Sequence, residues 1–148
     1  MEERLRVFVA SSSEKLAVAR GVGDVLRGDE SLDVHTWDQD VFTLSASYIE
    51  SLEAELDRAD FAIVILTADD PATVRREAVN LPRDNVVYEL GLFMGRLGRA
   101  RCFFFVDGDS ATRIASDLSG VRAADFYNER TNRATGRPSL EDRATEAR

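Results

Sequence analysis

Glu89 stands at the edge of the apolar stripe in a glycine-rich block, RDNVVYELGLFMGRLGR, at residues 83–99. At about 100° per residue, Val86, Leu90, Phe93 and Leu97 form a helical stripe, and Glu89 lies beside it, toward Phe93 and Arg96. The usual catalytic helpers are missing. The one histidine, His35, falls in an expected strand, and the one cysteine, Cys102, falls in an apolar run. That excludes a histidine-dependent triad and leaves no His/Cys cluster for a metal. Chemistry here has to run on carboxylates, hydroxyls, backbone amides and arginines.

The other candidate groups fall just after expected strands. "SSSE" follows the first strand in place of a G-x-G-x-x-G fingerprint. Ser11 and Ser12 there either cap a helix or hold a phosphate or sugar hydroxyl on its free amides. Phe42, an aromatic in a polar loop, either stacks on a ring or anchors the loop. Asp69, Asp70, Arg75, Arg76 and Arg83 read first as solvated loop charges, with Arg83 singled out because it adjoins the start of the Glu89 helix. Tyr88 fits core or site equally well. For Glu89, spacing alone describes an ordinary solvated helix acid. Its place in the first two turns, capped by Asp84 or Asn85, sets the helix dipole in favour of its anion and partial burial against it.

The elements that must position these groups alternate. Apolar runs at residues 5–11, 32–38, 61–67 and 102–106 predict strands, and residues 121–126 a fifth. Near-continuous apolarity in "LRVFVAS" and "FAIVILT" predicts strands covered on both faces. A helix with Leu16, Ala19, Val22 and Leu26 on one face follows the serines, with Glu14 completing a capping box and Gly28 as the stop. In "YIESLEAELDRA", Ile49, Leu52 and Leu56 share a face and the acids lie outside it. A long polar loop with Pro71 and Pro82 precedes the Glu89 helix, and a short helix is expected near residues 111–119. The tail, residues 138–148, predicts a weak helix. Parallel strands with right-handed crossovers give a doubly wound α/β domain of flavodoxin-like order 2-1-3-4-5, with helices on both faces. Gly91, Gly95 and Gly98 share a side of their helix and predict close approach of another backbone, within the domain or from a neighbouring subunit.

Length and charge bound the class. At 148 residues the chain is one domain with a single substantial core. A net charge of -8 argues against sequence-independent nucleic-acid binding. A lone cysteine points to a reducing cytoplasm. No apolar run reaches the ~20 residues of a membrane span, and "MEERLRVFVASSS" lacks a signal-peptide pattern.

The blocks "VFVASSSE", "SLEAELDRADFAIVILTADD" and "RDNVVYELGLFMGRLGR", with the later "SDLSGV", resemble the TIR-like domain of bacterial anti-phage effectors of the CBASS (STING-linked) and Pycsar systems. The likeness runs from about residue 6 to about residue 127, within a domain core of about 4–127. It implies a TIR fold and hydrolysis of NAD+ to nicotinamide and an ADP-ribose product, with no cofactor and no metal. The family's catalytic glutamate falls on Glu89. Its substrate pocket maps to Ala10, Ser11 and Ser12, to Phe42 and Ser45, and to Asp69, Arg83, Asn85 and Tyr88. The resemblance also implies activation by self-association into oligomers or filaments, and a fused or associated sensor domain for a cyclic nucleotide or dinucleotide. No second domain is expected within this chain, which fits a domain excised from a longer effector. Two other readings are a nucleoside deoxyribosyltransferase-like enzyme and a TIR scaffold that only self-associates.

Overall fold

The computed structural model describes residues 3–38, 47–107 and 112–118, and residues 124–126 as backbone. In chain order the elements are β1 (Leu5–Ala10), α1 (Leu16–Arg27), β2 (Leu32–Thr36), α2 (Tyr48–Leu56), β3 (Phe61–Leu66), β4 (Asp70–Val74), β5 (Glu77–Leu81), α3 (Asp84–Leu97), β6 (Cys102–Asp107) and β7 (Ala124–Phe126). Short 3-10 turns precede α1 and β6, and a third stands at Ser116–Leu118 where a helix was expected.

Strand alternation builds the core. Phe8 and Ala10 of β1, with Ala62, Val64 and Leu66 of β3, face α2 and α3, where Leu52, Leu56, Val86, Leu90 and Phe93 close the packing. The intervening residues Val7, Val9, Ile63 and Ile65 face α1 and meet Ala19 and Val22. From Val7 in β1 and from Ala62 in β3 both faces are therefore buried, as their near-continuous apolarity predicts. Phe8 and Phe93 meet edge to face, ring centroids 5.6 Å apart, so α3 is fixed on β1 by a contact within the favoured range for aromatic pairs.

The main sheet has five strands in the order β2-β1-β3-β6-β7, every neighbouring pair parallel. Counted among themselves these strands run 2-1-3-4-5. The chain numbering departs from that order because the expected polar loop after β3 is a separate antiparallel hairpin, β4–β5. Its two-residue turn is Arg75-Arg76, both at positive φ, 49° and 69°. Turns of that shape are normally written with Asn and Gly, so nothing in "TVRREA" announces one. Pro71 is tolerated because a two-stranded ribbon consists only of edges.

Three helix readings are corrected. Ile49 does not join the buried face of α2: it is 46% exposed. Glu55 does not lie outside, because it is buried and takes a forked contact from Arg6, with Nη2 at 2.9 and 3.1 Å and Nε at 3.0 Å. Gly98 is not in the helix. It ends α3 at φ 85°, a conformation that favours glycine. A Cβ built on Gly91 or Gly95 would meet nothing within 4 Å, so neither glycine serves close packing among the described residues.

Candidate active site

The crevice of a doubly wound sheet opens at the carboxyl ends of the strands where the chain reverses its direction of travel. Here that is the top of β1 and β3, since β1 is followed sideways by β2 and then by β3 on its other edge. The first residue of α3 stands at this edge. Arg83 is its N-cap, extended at φ -56° and ψ 138°, and not Asp84 or Asn85 as expected. Asp84 instead accepts from the Asn85 amide at 2.7 Å.

Glu89 is only 4% exposed, which overturns its reading as a solvated acid. The reason is local. Val86, Leu90 and Phe93 pin α3 to the sheet, and Glu89 shares their turn of the helix. Its carboxylate accepts the phenol O–H of Tyr48 from the first turn of α2. Burial pushes the Glu89 carboxyl above its ordinary range, and the Tyr48 hydrogen bond opposes that rise. The Tyr48 phenol is itself pushed up, first by burial and then by the adjacent carboxylate.

Tyr48 owes its place to a capping box. The Ser47 hydroxyl accepts the Glu50 amide at 3.3 Å, and the Glu50 carboxylate accepts the Ser47 amide at 2.7 Å. This pairing satisfies donors that a helix start leaves open. It fixes the first turn of α2, and with it the approach of the Tyr48 ring.

Across the crevice, Ala10 ends β1 fully buried, and Ser11 and Ser12 follow at 7% and 3% exposure. The Ser11 hydroxyl donates to the Ser12 carbonyl at 2.9 Å and accepts from Trp37 Nε1 at 3.0 Å. The Trp37 amide donates to the Val9 carbonyl at 3.0 Å, so the ends of β1 and β2 are locked together. The Ser12 hydroxyl has no partner among the described residues. Glu14 forms no capping box. Its carboxylate meets Arg83 Nη2 at 2.8 Å, and it is held below the ordinary carboxylate range by its own backbone N–H and by Arg83.

The top of β3 contributes Thr67, whose hydroxyl donates to Asp69 at 2.7 Å. Arg83 faces Asp70 at 3.5 Å, not Asp69. Arg83 thus ties the Ser11–Ser12 turn, through Glu14, to the hairpin and to the start of α3. No hydrogen bond joins Glu89 directly to that serine turn among the described residues. Asn85 lies exposed in the first turn of α3, and Tyr88 is 56% exposed beside the buried Glu89. Phe42 and Ser45 lie outside the described residues. A separate apolar groove of about 380 Å³, lined by Leu66, Pro82, Val87, Leu90, Ile114 and Leu118 among others, runs along the hairpin side of α3 and does not include Glu89.

Sequence reasoning missed Tyr48 and Trp37. The Ser47–Glu50 spacing was the available signal for the first, since it marks a helix start one residue before Tyr48. Nothing local points from Trp37 to Ser11, 26 residues away.

The profile of the TIR domain of CAP12/Pycsar effector proteins matches residues 6–128. The chain belongs to this family. It is a TIR domain of the effector type found in CBASS and Pycsar antiviral defence. Among similar proteins, the Pycsar effector protein PaPycTIR of Pseudomonas aeruginosa is 48% identical over 115 residues, 78% of this chain and 37% of that protein. CD-NTase-associated protein 12 of Niabella drilacis is 38% identical over 143 residues, 93% of this chain and 45% of that protein. The TIR domain thus spans less than half the length of these relatives. The fold also matches the flavodiiron core of Flv1 from Synechocystis with a TM-score of 0.52 at 10% identity, covering 98% of this chain and 34% of that one; this likeness concerns fold alone. Among the described residues no helix is long and apolar enough to cross a membrane.

Proposed function

We propose that this TIR domain hydrolyses NAD+ to nicotinamide and ADP-ribose, as the effector part of a cyclic-nucleotide-triggered anti-phage protein, and that self-association raises its activity. The observation that carries the reading is the buried Glu89 carboxyl at the crevice edge, bonded to Tyr48. A carboxylate is kept there against the cost of burial, which is the usual signature of a group tuned for chemistry.

The reaction suits such a group. The nicotinamide–ribose bond breaks with its electron pair moving onto the pyridinium nitrogen, so nicotinamide leaves neutral and needs no proton. Positive charge develops on the ribose C1′ and its ring oxygen. An ionised Glu89 stabilises that charge or holds the ribose hydroxyls. Water then adds at C1′ and releases one proton. The dinucleotide's remaining polar groups fall to the Ser11–Ser12 turn, whose Ser12 hydroxyl is unpartnered, and to Arg83. Ala10, Asp69, Asn85 and Tyr88 complete the proposed pocket, together with Phe42 and Ser45.

The deciding experiment follows nicotinamide by chromatography over a range of protein concentrations. NAD+ consumption with specific activity rising with concentration is expected, and a folded Glu89→Ala protein should release none. Full activity in that variant would remove Glu89 from the mechanism; specific activity independent of concentration would remove self-association from it.

A further inference from the structure

We propose that Tyr48 is a positioning residue for Glu89: its phenol, set in the first turn of α2, holds one carboxylate oxygen at the crevice edge and leaves the other to the substrate. The inference rests on the hydrolase reading above. Tyr48 donates its phenol O–H to Glu89 Oε1.

The two helices that carry this bond pack on each other through the core. Leu52 and Leu56 of α2 share one core with Val86, Leu90 and Phe93 of α3. Farther down, Arg96 of α3 reaches Glu53 of α2 at 3.4 Å and also bonds Asp57. The pair is therefore clamped at both ends, by Arg96 below and by Tyr48 above. The Tyr48 residue is 46% exposed while its partner is 4% exposed. The ring thus reaches the carboxylate from the solvent side, which is the side a substrate must enter.

Among the described residues, Tyr48 is the one ionisable group that acts on Glu89. On α2, Glu50 is engaged by Ser47, Glu53 and Asp57 by Arg96, and Glu55 by Arg6. On α3, Asp84 takes the Asn85 amide, and the N-cap Arg83 is shared by Glu14 and Asp70. Strand β3 carries no titratable side chain, and the ionisable residues of β6, Cys102 and Asp107, do not contribute to the Glu89 shift. What acts on the carboxyl is burial, which favours the acid, and the Tyr48 O–H, which favours the anion. Removing the hydroxyl leaves the first effect unopposed and frees the carboxylate to rotate.

Tyr48→Phe keeps the ring and removes only the donor. Its test pairs two readouts against the parent chain. The first is a carbon-13 carboxyl titration by NMR, with Glu89 assigned from the signal lost in Glu89→Gln. The second is the pH profile of nicotinamide release with kcat and KM separated. In Tyr48→Phe the Glu89 titration and the acid limb of the profile should both move to higher pH. The kcat should fall roughly ten- to a hundredfold, the weight of a hydrogen bond to a charged group, with KM little changed. Superimposable titrations overturn the proposal, and so does a moved titration with unchanged kinetics. If the parent chain releases no nicotinamide at any pH, the hydrolase reading fails, and the titration alone decides whether Tyr48 holds the carboxylate.

Discussion

Arg83 Nη2 lies 2.8 Å from Glu14 Oε1, so the cap of the helix that carries Glu89 is tied to the turn that follows the first strand. Both partners are substantially exposed, with side chains at 33% and 49%, and exposed pairs contribute little to stability. The value of the contact is geometric: it fixes the spacing between two walls of the crevice. Arg83→Met should leave the melting temperature close to that of the parent while lowering kcat/KM for NAD+ about tenfold or more. Thermal unfolding beside steady-state kinetics makes the comparison. A large loss of stability with intact kinetics would contradict the assignment.

Glu89 links the site to pH. Burial raises its folded pKa above the unfolded value, so between those two values the folded state holds more protons than the unfolded one. The stability this group contributes is then full below the unfolded pKa, about 4.3, and is lost as pH rises through the folded pKa. Glu89→Gln removes that loss. The variant should melt no lower than the parent at about pH 7.5, with the difference between the two shrinking toward about pH 4. Melts across this range check the sign.

The three glycines of the opening block should part company. Gly98, at φ 85°, should lose about 1 kcal/mol or more on change to alanine. Gly91→Ala and Gly95→Ala, where the new methyl meets nothing within 4 Å, should each stabilise the isolated chain by about 0.5–1 kcal/mol. If α3 also faces a neighbouring copy, the same two variants should blunt the rise of activity with concentration. Denaturant melts and assays at two concentrations separate these effects.

At the other edge of the sheet, Arg6 grips the buried Glu55, reaches Asp33 at 3.5 Å and gives its amide to Asp60 at 2.8 Å. Asp33 is held below the ordinary carboxylate range, chiefly by His35. Glu55→Ala strands a guanidinium that is only 24% exposed and should cost about 1–3 kcal/mol, reduced from a fully buried pair because Asp33 remains. The kcat, measured well below the melt, should stay near the parent value, since this cluster is remote from the crevice.

The β/α alternation could be read directly because β1 from Val7 onward and most of β3 are buried on both faces and so are apolar there. Glu89 could be found as an anomaly but not assigned from spacing, since its hydrogen-bond partner is Tyr48, 41 residues earlier in the chain. The hairpin stayed hidden because its turn is written with two arginines in place of the usual asparagine and glycine. Glu14 was misread for a related reason. Its spacing from the serines fits a capping box, but a tertiary partner, Arg83, outcompeted the local one. Local rules found the strands of the main sheet and its long helices, while the pairs Tyr48–Glu89, Trp37–Ser11 and Arg83–Glu14 that join the crevice walls are long-range.

The β4–β5 ribbon begins and ends in register, with Asp70 opposite Leu81. An excursion whose two feet stand side by side can grow or shrink by matched pairs of residues without moving what lies on either side of it. Change at the Arg75-Arg76 end of the ribbon thereby leaves its feet in place, and with them the Arg83–Asp70 contact at the start of α3.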